Sequence, residues 1–232
     1  AAEKYPDTDF VWSTGDSALV VGRDHKKELK NVANIMGKME YGQMIAGCAA
    51  AIKSKDGKIG FLGPLINDET RRLANATYLG AKYCADGDIE FDATWIGFWF
   101  HIPGMTLDPT QVVNEFYDSG KDVVISHIDT TEAVVVAGQR AVSGEYFSLV
   151  QKSRDDKFTN EWLWVDPYWQ NLETSIVGYK HGEGMSTLEK IQVDKFISEL
   201  KLGLNLFTGP LYFEDDSIYL EDGEIASDID IW

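Results

Sequence analysis

The stretch from Lys58 to Tyr83, KIGFLGPLINDETRRLANATYLGAKY, constrains the fold more than any other part of the chain. It reads as a short apolar strand over Ile59–Leu62, a Gly-Pro turn and then a helix. Asn67 or Asp68 can cap that helix, and the acidic Asp68 and Glu69 suit the positive end of its dipole. Ala74, Ala76, Gly80 and Ala81 keep one side small, so the backbone can lie close to a sheet. Strand, tight turn and close-packed helix open an α/β unit.

The rest of the chain repeats that order. Residues before Phe10 read as a helix end and a turn, with a strand from Phe10, so earlier βα units are expected to be absent from this chain. Residues 31–52 read as mainly helical, with Gly37, Gly42 and Gly47 every five residues. Residues 89–100, IEFDATWIGFWF, form an apolar strand that runs into aromatics. Asp108-Pro109 is a helix start, with Asp at the N-cap and Pro at the first helical position, and Gly120 ends that helix. The continuous apolar run DVVISHI, residues 122–128, suits a parallel strand covered on both faces. A helix over 131–142, a strand over 145–151 and a strand within 161–169 follow. Asp166-Pro167 then predicts another helix reaching about residue 181. Alternation of this kind predicts an α/β doubly wound parallel sheet.

Composition narrows the function classes. The net charge is −17, with 38 acidic against 21 basic residues, which argues against nucleic acid and anionic membranes as partners. No apolar run approaches the roughly 20 residues of a membrane helix. The two cysteines, Cys48 and Cys84, give neither a disulfide framework nor metal-ligand spacing, and Cys48 in AGCAAAI reads as a buried thiol. No metal or cofactor is expected. A phosphate-binding glycine loop and a nucleophile elbow are both missing, so an enzyme is disfavoured.

Several motifs, in order, resemble the basic membrane protein family, the purine- and nucleoside-binding lipoproteins that serve ABC importers. KIGFLGP followed by Glu69, Arg72, Asn75, Ala76, Leu79, Gly80, Ala81 and Lys82 is one. GKMEYGQMIAG resembles the family's helix leading from its first lobe towards its second, with Tyr41 in place of a glutamate. The segment DSGKDVVISHID is a close match. LFTGPLY and the closing EIASDIDIW complete the set. The resemblance implies a type I periplasmic-binding-protein fold with a complete second lobe and a partial first one. It divides the chain into residues 1–54 (first-lobe remainder and crossing helix), 55–182 (second lobe) and 183–232 (a final helix and tail across the lobes). Residues 54–58 would then cross between lobes.

The resemblance also implies site residues. Trp95 and Trp99 match a tryptophan-rich segment that faces the ligand cleft, with Phe100 beside them and Gly97 replacing an asparagine. Each of these aromatics is also readable as core or interface. His127 and Asp129 sit at the carboxyl end of a strand, where open parallel sheets bind ligands. His127 is also readable as a satisfied strand-end histidine. Asp129 is readable as a helix cap, as a ligand contact, or as both. Lys152 stands about where the family carries a ligand-gripping aspartate. Trp164 is the candidate aromatic near the cleft mouth.

Two functions follow from these residues. One is an extracytoplasmic solute-binding protein, non-catalytic, that takes a purine or nucleoside and meets an ABC permease. Such a protein is at the cell surface, periplasmic or secreted, and lipid-anchored through a segment preceding this chain. The other is a structural protein that reuses the scaffold, with its tryptophans forming a subunit contact in a homo-oligomer.

Overall fold

The computed structural model describes residues 1–22, 24–129 and 162–231. They fall into two compact units: residues 1–39 with 162–178, and residues 40–129 with 179–231.

In the first unit, β2 (Val32–Gly37) lies between β1 (Phe10–Ser13) and β6 (Trp162–Val165), all parallel. Ala33 and Ile35 are its buried centre, packed by Val11, Leu163 and Val165. Asn34 is fully buried, and both ends of its amide are hydrogen-bonded. It accepts from Ser17 Oγ at 3.2 Å and Ala18 N at 2.7 Å, and donates to the Trp12 carbonyl at 3.3 Å. These bonds fasten the loop after β1 to the central strand.

In the second unit, β3 (Lys58–Gly63) lies between β4 (Glu90–Trp95) and β5 (Val123–Ser126), again all parallel. Side chains alternate along β3 as the pleat requires. Ile59 packs with Ala50 of α1 (Met39–Lys53) and Ala81 of α2 (Asp68–Cys84). Leu62 packs on the other face with Val112 and Phe116 of α3 (Pro109–Asp118). The sheet is thus covered on both faces, as the continuous apolar run in residues 122–128 implied. Each fully buried side chain of this kind contributes about 2 kcal/mol. Gly60 makes room for α3: a β-carbon there would lie 2.7 Å from the Phe116 ring.

Two of the helix starts read from sequence are present. Asn67 and Thr70 form a capping box on α2, and Asp108 caps α3 with Pro109 in its first turn. Gly120, at φ +92°, closes α3. Further along, α4 (Thr187–Lys201) begins with a Ser186–Glu189 capping box. A hairpin of β7 (Leu211–Tyr212) and β8 (Ile218–Leu220), then the short α5 (Asp228–Ile231), complete the described chain.

Four expectations are corrected. Residues 32–37 are a strand, not the first turns of a helix; all six are buried, so no helical or alternating period marks them. The small side of α2 is divided between two neighbours. Ala81 faces the sheet, but Gly80 abuts α1, where a β-carbon would sit 2.0 Å from the Met44 carbonyl oxygen. Cys48 and Cys84 are not free: they form a disulfide joining the same two helices. After Asp166-Pro167 there is only a 3-10 turn, Leu172–Thr174. The Ser175 hydroxyl accepts from Tyr168 N at 2.7 Å, a first-turn donor that an Asp166 cap would have held, and from Val177 N at 3.2 Å, a donor that a helix would have used in its ladder.

The units also divide the chain differently from the boundaries read at 54/55 and 182/183. α1 packs on α2 within the second unit, and residues 54–58 are a turn inside that unit. Gly57 takes φ +68° there, and Asp122 holds the turn by accepting from Ser54 Oγ at 2.6 Å and Lys55 N at 2.5 Å. Strand β6 pairs with β2, which places residues 162–178 in the first unit. The helix expected over 131–142 and the strand over 145–151 lie outside the described residues.

Candidate ligand-binding site

The strands of the second unit end at Gly63, Trp95 and Ser126. Trp95 is opposite Gly63 in the register of β3 and β4. Its ring occupies the space a side chain at Gly63 would need, since a β-carbon there would be 2.4 Å from Trp95 Cε3. The indole meets Phe61 edge-on, with ring centroids 6.0 Å apart. Phe61 also stacks on His127, at 6.1 Å and 26° between planes. Phe61 therefore supports two of the expected site residues from beneath the strand ends.

The loop after β4 is pinned at both ends. Ile96 N donates to the Gly63 carbonyl and Gly97 N to the Pro64 carbonyl, at 2.9 and 2.8 Å. Gly97 takes φ +101°, a conformation the family's asparagine adopts less readily than glycine. Asp129 N then donates to the Trp99 carbonyl at 2.7 Å, which ties this loop to the segment after β5. Trp99 is half-buried, while Phe100 is 44% exposed and meets Phe98 edge-on at 4.9 Å. The carboxylate-bearing Asp129 is exposed.

His127 continues the β5 backbone, its N–H donating to the Leu62 carbonyl at 2.8 Å. Its Nδ1 lies 3.0 Å from the Gln43 side-chain amide nitrogen. The Gln43 amide oxygen in turn lies 2.9 Å from Thr77 Oγ1. Burial pushes the imidazole pKa down to about 4, so the ring is neutral at pH 7. A neutral imidazole is a directional hydrogen-bonding group without charge.

Trp95, Trp99, Phe100, His127 and Asp129 thus gather at one end of one sheet. They offer aromatic faces, a neutral imidazole and a carboxylate, which suits a planar solute carrying hydrogen-bonding groups. Trp164 belongs to the other unit. Its ring lies 5.2 Å from Trp162, and Lys38 Nζ is 5.8 Å from its centroid while pairing with Asp166 at 2.9 Å. Lys152 lies outside the described residues. Sequence reading missed Phe61, Gln43 and Thr77. Gln43 and His127 are 84 positions apart, and no local pattern links them.

A family model described as ABC transporter substrate-binding protein PnrA-like (Bmp) matches residues 1–162. A purine-binding protein of Brucella abortus is 26% identical over 98% of this chain. A Haloferax volcanii protein, named as an ABC transporter glucose-binding protein, is 24% identical over the whole of it. Both relatives are longer, and this chain spans 67% of the first and 54% of the second. Among solved structures, an ABC transporter solute-binding protein from Conexibacter woesei gives a TM-score of 0.53 at 16% identity, covering 88% of this chain and 73% of that one. A transcriptional activator of the comK gene from Bacillus halodurans gives 0.58 at 16% identity, covering 85% and 71%. These likenesses carry the α/β type I periplasmic-binding fold, which hosts more than one function.

Proposed function

Since the chain belongs to the PnrA-like family of ABC transporter substrate-binding proteins, we propose that it binds a purine or nucleoside at the carboxyl ends of β4 and β5 and presents it to an ABC permease. The observation that carries this reading is the 2.7 Å bond from Asp129 N to the Trp99 carbonyl. It joins the backbones of two candidate site residues, in the segments that follow Trp95 and the neutral His127. Stacking on such aromatics contributes ~1–3 kcal/mol per base. The carboxylate suits ribose hydroxyls or an exocyclic amine. Binding is non-catalytic in this reading.

The Cys48–Cys84 disulfide supports an extracytoplasmic setting, because such bonds persist in oxidising compartments. Among the described residues, no helix is long and apolar enough to cross a membrane.

Calorimetric titration with adenine, hypoxanthine, guanosine, inosine and glucose tests the proposal. Saturable binding of a purine or nucleoside supports it. Binding of glucose alone moves the ligand class to sugars, the second reading that the Haloferax relative favours. Silence across the panel from the folded protein overturns it and leaves the scaffold reading, for which a stable assembly is then the measurement. Trp164→Ala and Lys152→Ala in the same panel test the two residues that the resemblance assigns and that do not belong to the strand-end group.

A further inference from the structure

Gln43, Thr77 and His127 form a chain of three short polar contacts inside the second unit. Thr77 Oγ1 lies 2.8 Å from the Leu73 carbonyl, one turn back on α2. It also lies 2.9 Å from one end of the Gln43 amide, whose other end lies 3.0 Å from His127 Nδ1. Each contact needs one proton between its heavy atoms.

Counting protons selects one arrangement. With the amide oxygen towards Thr77, the single hydroxyl proton must serve two acceptors, and one close oxygen pair is left without a proton. That is costly where water is excluded. With the amide turned, every contact is satisfied. Thr77 donates to the Leu73 carbonyl, the usual back-bond of a helical threonine. The Gln43 amide nitrogen donates to Thr77 Oγ1. Its oxygen accepts from His127 Nδ1–H. The two ends of an amide differ by one nitrogen and one oxygen, and the hydrogen-bond network decides between them.

We infer that Thr77, through Gln43, locks His127 as the Nδ1–H tautomer and leaves Nε2 as a bare acceptor that selects a ligand N–H or O–H over a ligand carbonyl. Gln43 and Thr77 are then positioning residues that act through His127. Among the described residues, Nδ1 is the ring nitrogen with a hydrogen-bond partner. Burial keeps the ring neutral at pH 7, so that one tautomer is defined there. The ligand-selecting consequence rests on the proposed function; the tautomer itself does not.

The test is a long-range proton–nitrogen NMR correlation of the imidazoles in the ligand-free, nitrogen-15-labelled full chain at pH 7. The expected spectrum shows His127 Nδ1 as the protonated nitrogen and Nε2 as the bare one. Thr77→Val removes the hydroxyl that orients the amide, and the tautomer ratio should shift towards Nε2–H by about fivefold or more, the weight of one ordinary hydrogen bond. Thr77→Ser restores the hydroxyl and should restore the wild-type ratio. Gln43→Leu provides an independent break if Thr77→Val does not fold. An Nε2–H signal in the wild-type protein overturns the inference, as does a ratio unmoved by either break. An Nδ1–H signal in a protein that binds nothing in the calorimetric panel keeps the relay and removes the ligand reading.

Discussion

Gly80 on α2 packs against the Met44 carbonyl on α1, and Gly47 on α1 packs against the Thr77 carbonyl on α2. A β-carbon would fall 2.0 Å from the first oxygen and 1.9 Å from the second. The opposing atoms are backbone, so they cannot rotate away. On an exposed helix face, replacing Gly by Ala gains about 1 kcal/mol of helix propensity. Overpacking costs about 1–3 kcal/mol and more where backbone must shift. The clash should win. Gly80→Ala is expected to lose about 2 kcal/mol or more in urea unfolding, and a gain in stability would show that the two helices do not approach this closely.

The disulfide fastens the same helix pair covalently. Cys48 and Cys84 are separated by 36 positions, and closing a loop of that length stabilises by about 4 kcal/mol in the chain-entropy treatment. Cys84→Ser should lower the unfolding free energy by about 2–4 kcal/mol, and reduction of the wild-type protein should do the same. Mass spectrometry before and after thiol alkylation gives the second check: the native protein should take up no alkylating agent at either cysteine.

What was legible in the sequence was local. The Asn67 and Asp108 caps and the Gly120 stop are bonds or dihedrals settled within three residues, and each stands where the residues indicated. The apolar runs at 59–62 and 123–126 also needed only their own composition. What escaped reading was set from a distance. Residues 32–37 are buried on both faces by other segments, so their pattern has no period. Asp166-Pro167 carried a valid helix-start signal, but Ser175 takes both the first-turn donor Tyr168 N, which the Asp166 cap would have held, and Val177 N. For the site, strand-end position pointed to His127 and Asp129, and resemblance pointed to Trp95 and Trp99. The support beneath them, from Phe61, Gln43 and Thr77, exists only after three helices and strands have packed.

His127 gives a pH dependence with a definite sign. Its pKa falls from an ordinary value near 6.5 to about 4 on burial, so the unfolded chain binds the proton more tightly. Stability from this group is fully present above about 6.5 and is lost as pH falls from there to about 4. The full difference is about 3 kcal/mol at one pKa unit per 1.36 kcal/mol. His127→Asn keeps a hydrogen-bonding group near the Nδ1 position and removes the titration. Its unfolding free energy should therefore fall less steeply than that of the wild type between pH 6.5 and 4. Parallel slopes would show that the ring titrates as it does in the unfolded chain.

Trp99 and Asp129 can be tested without disturbing the contact that joins them, because that contact is backbone to backbone. Trp99→Ala removes an aromatic face but keeps the carbonyl that accepts from Asp129 N. With stacking at ~1–3 kcal/mol per base, affinity for the bound purine or nucleoside should weaken by about 5- to 150-fold. Asp129→Asn keeps the shape and removes the negative charge. A hydrogen bond to a charged group contributes about 1.5–3 kcal/mol, so a ligand held through that carboxylate should lose about 10- to 150-fold. Phe100 is already engaged by Phe98 and more exposed than Trp99, so Phe100→Ala should cost less than Trp99→Ala. The order of the three losses is informative. If Trp99→Ala and Asp129→Asn both bind as the wild type does, with unfolding curves unchanged, the ligand does not sit at these strand ends. If Trp99→Ala weakens free bases and nucleosides alike while Asp129→Asn weakens nucleosides alone, the carboxylate reads the ribose and the aromatics read the base.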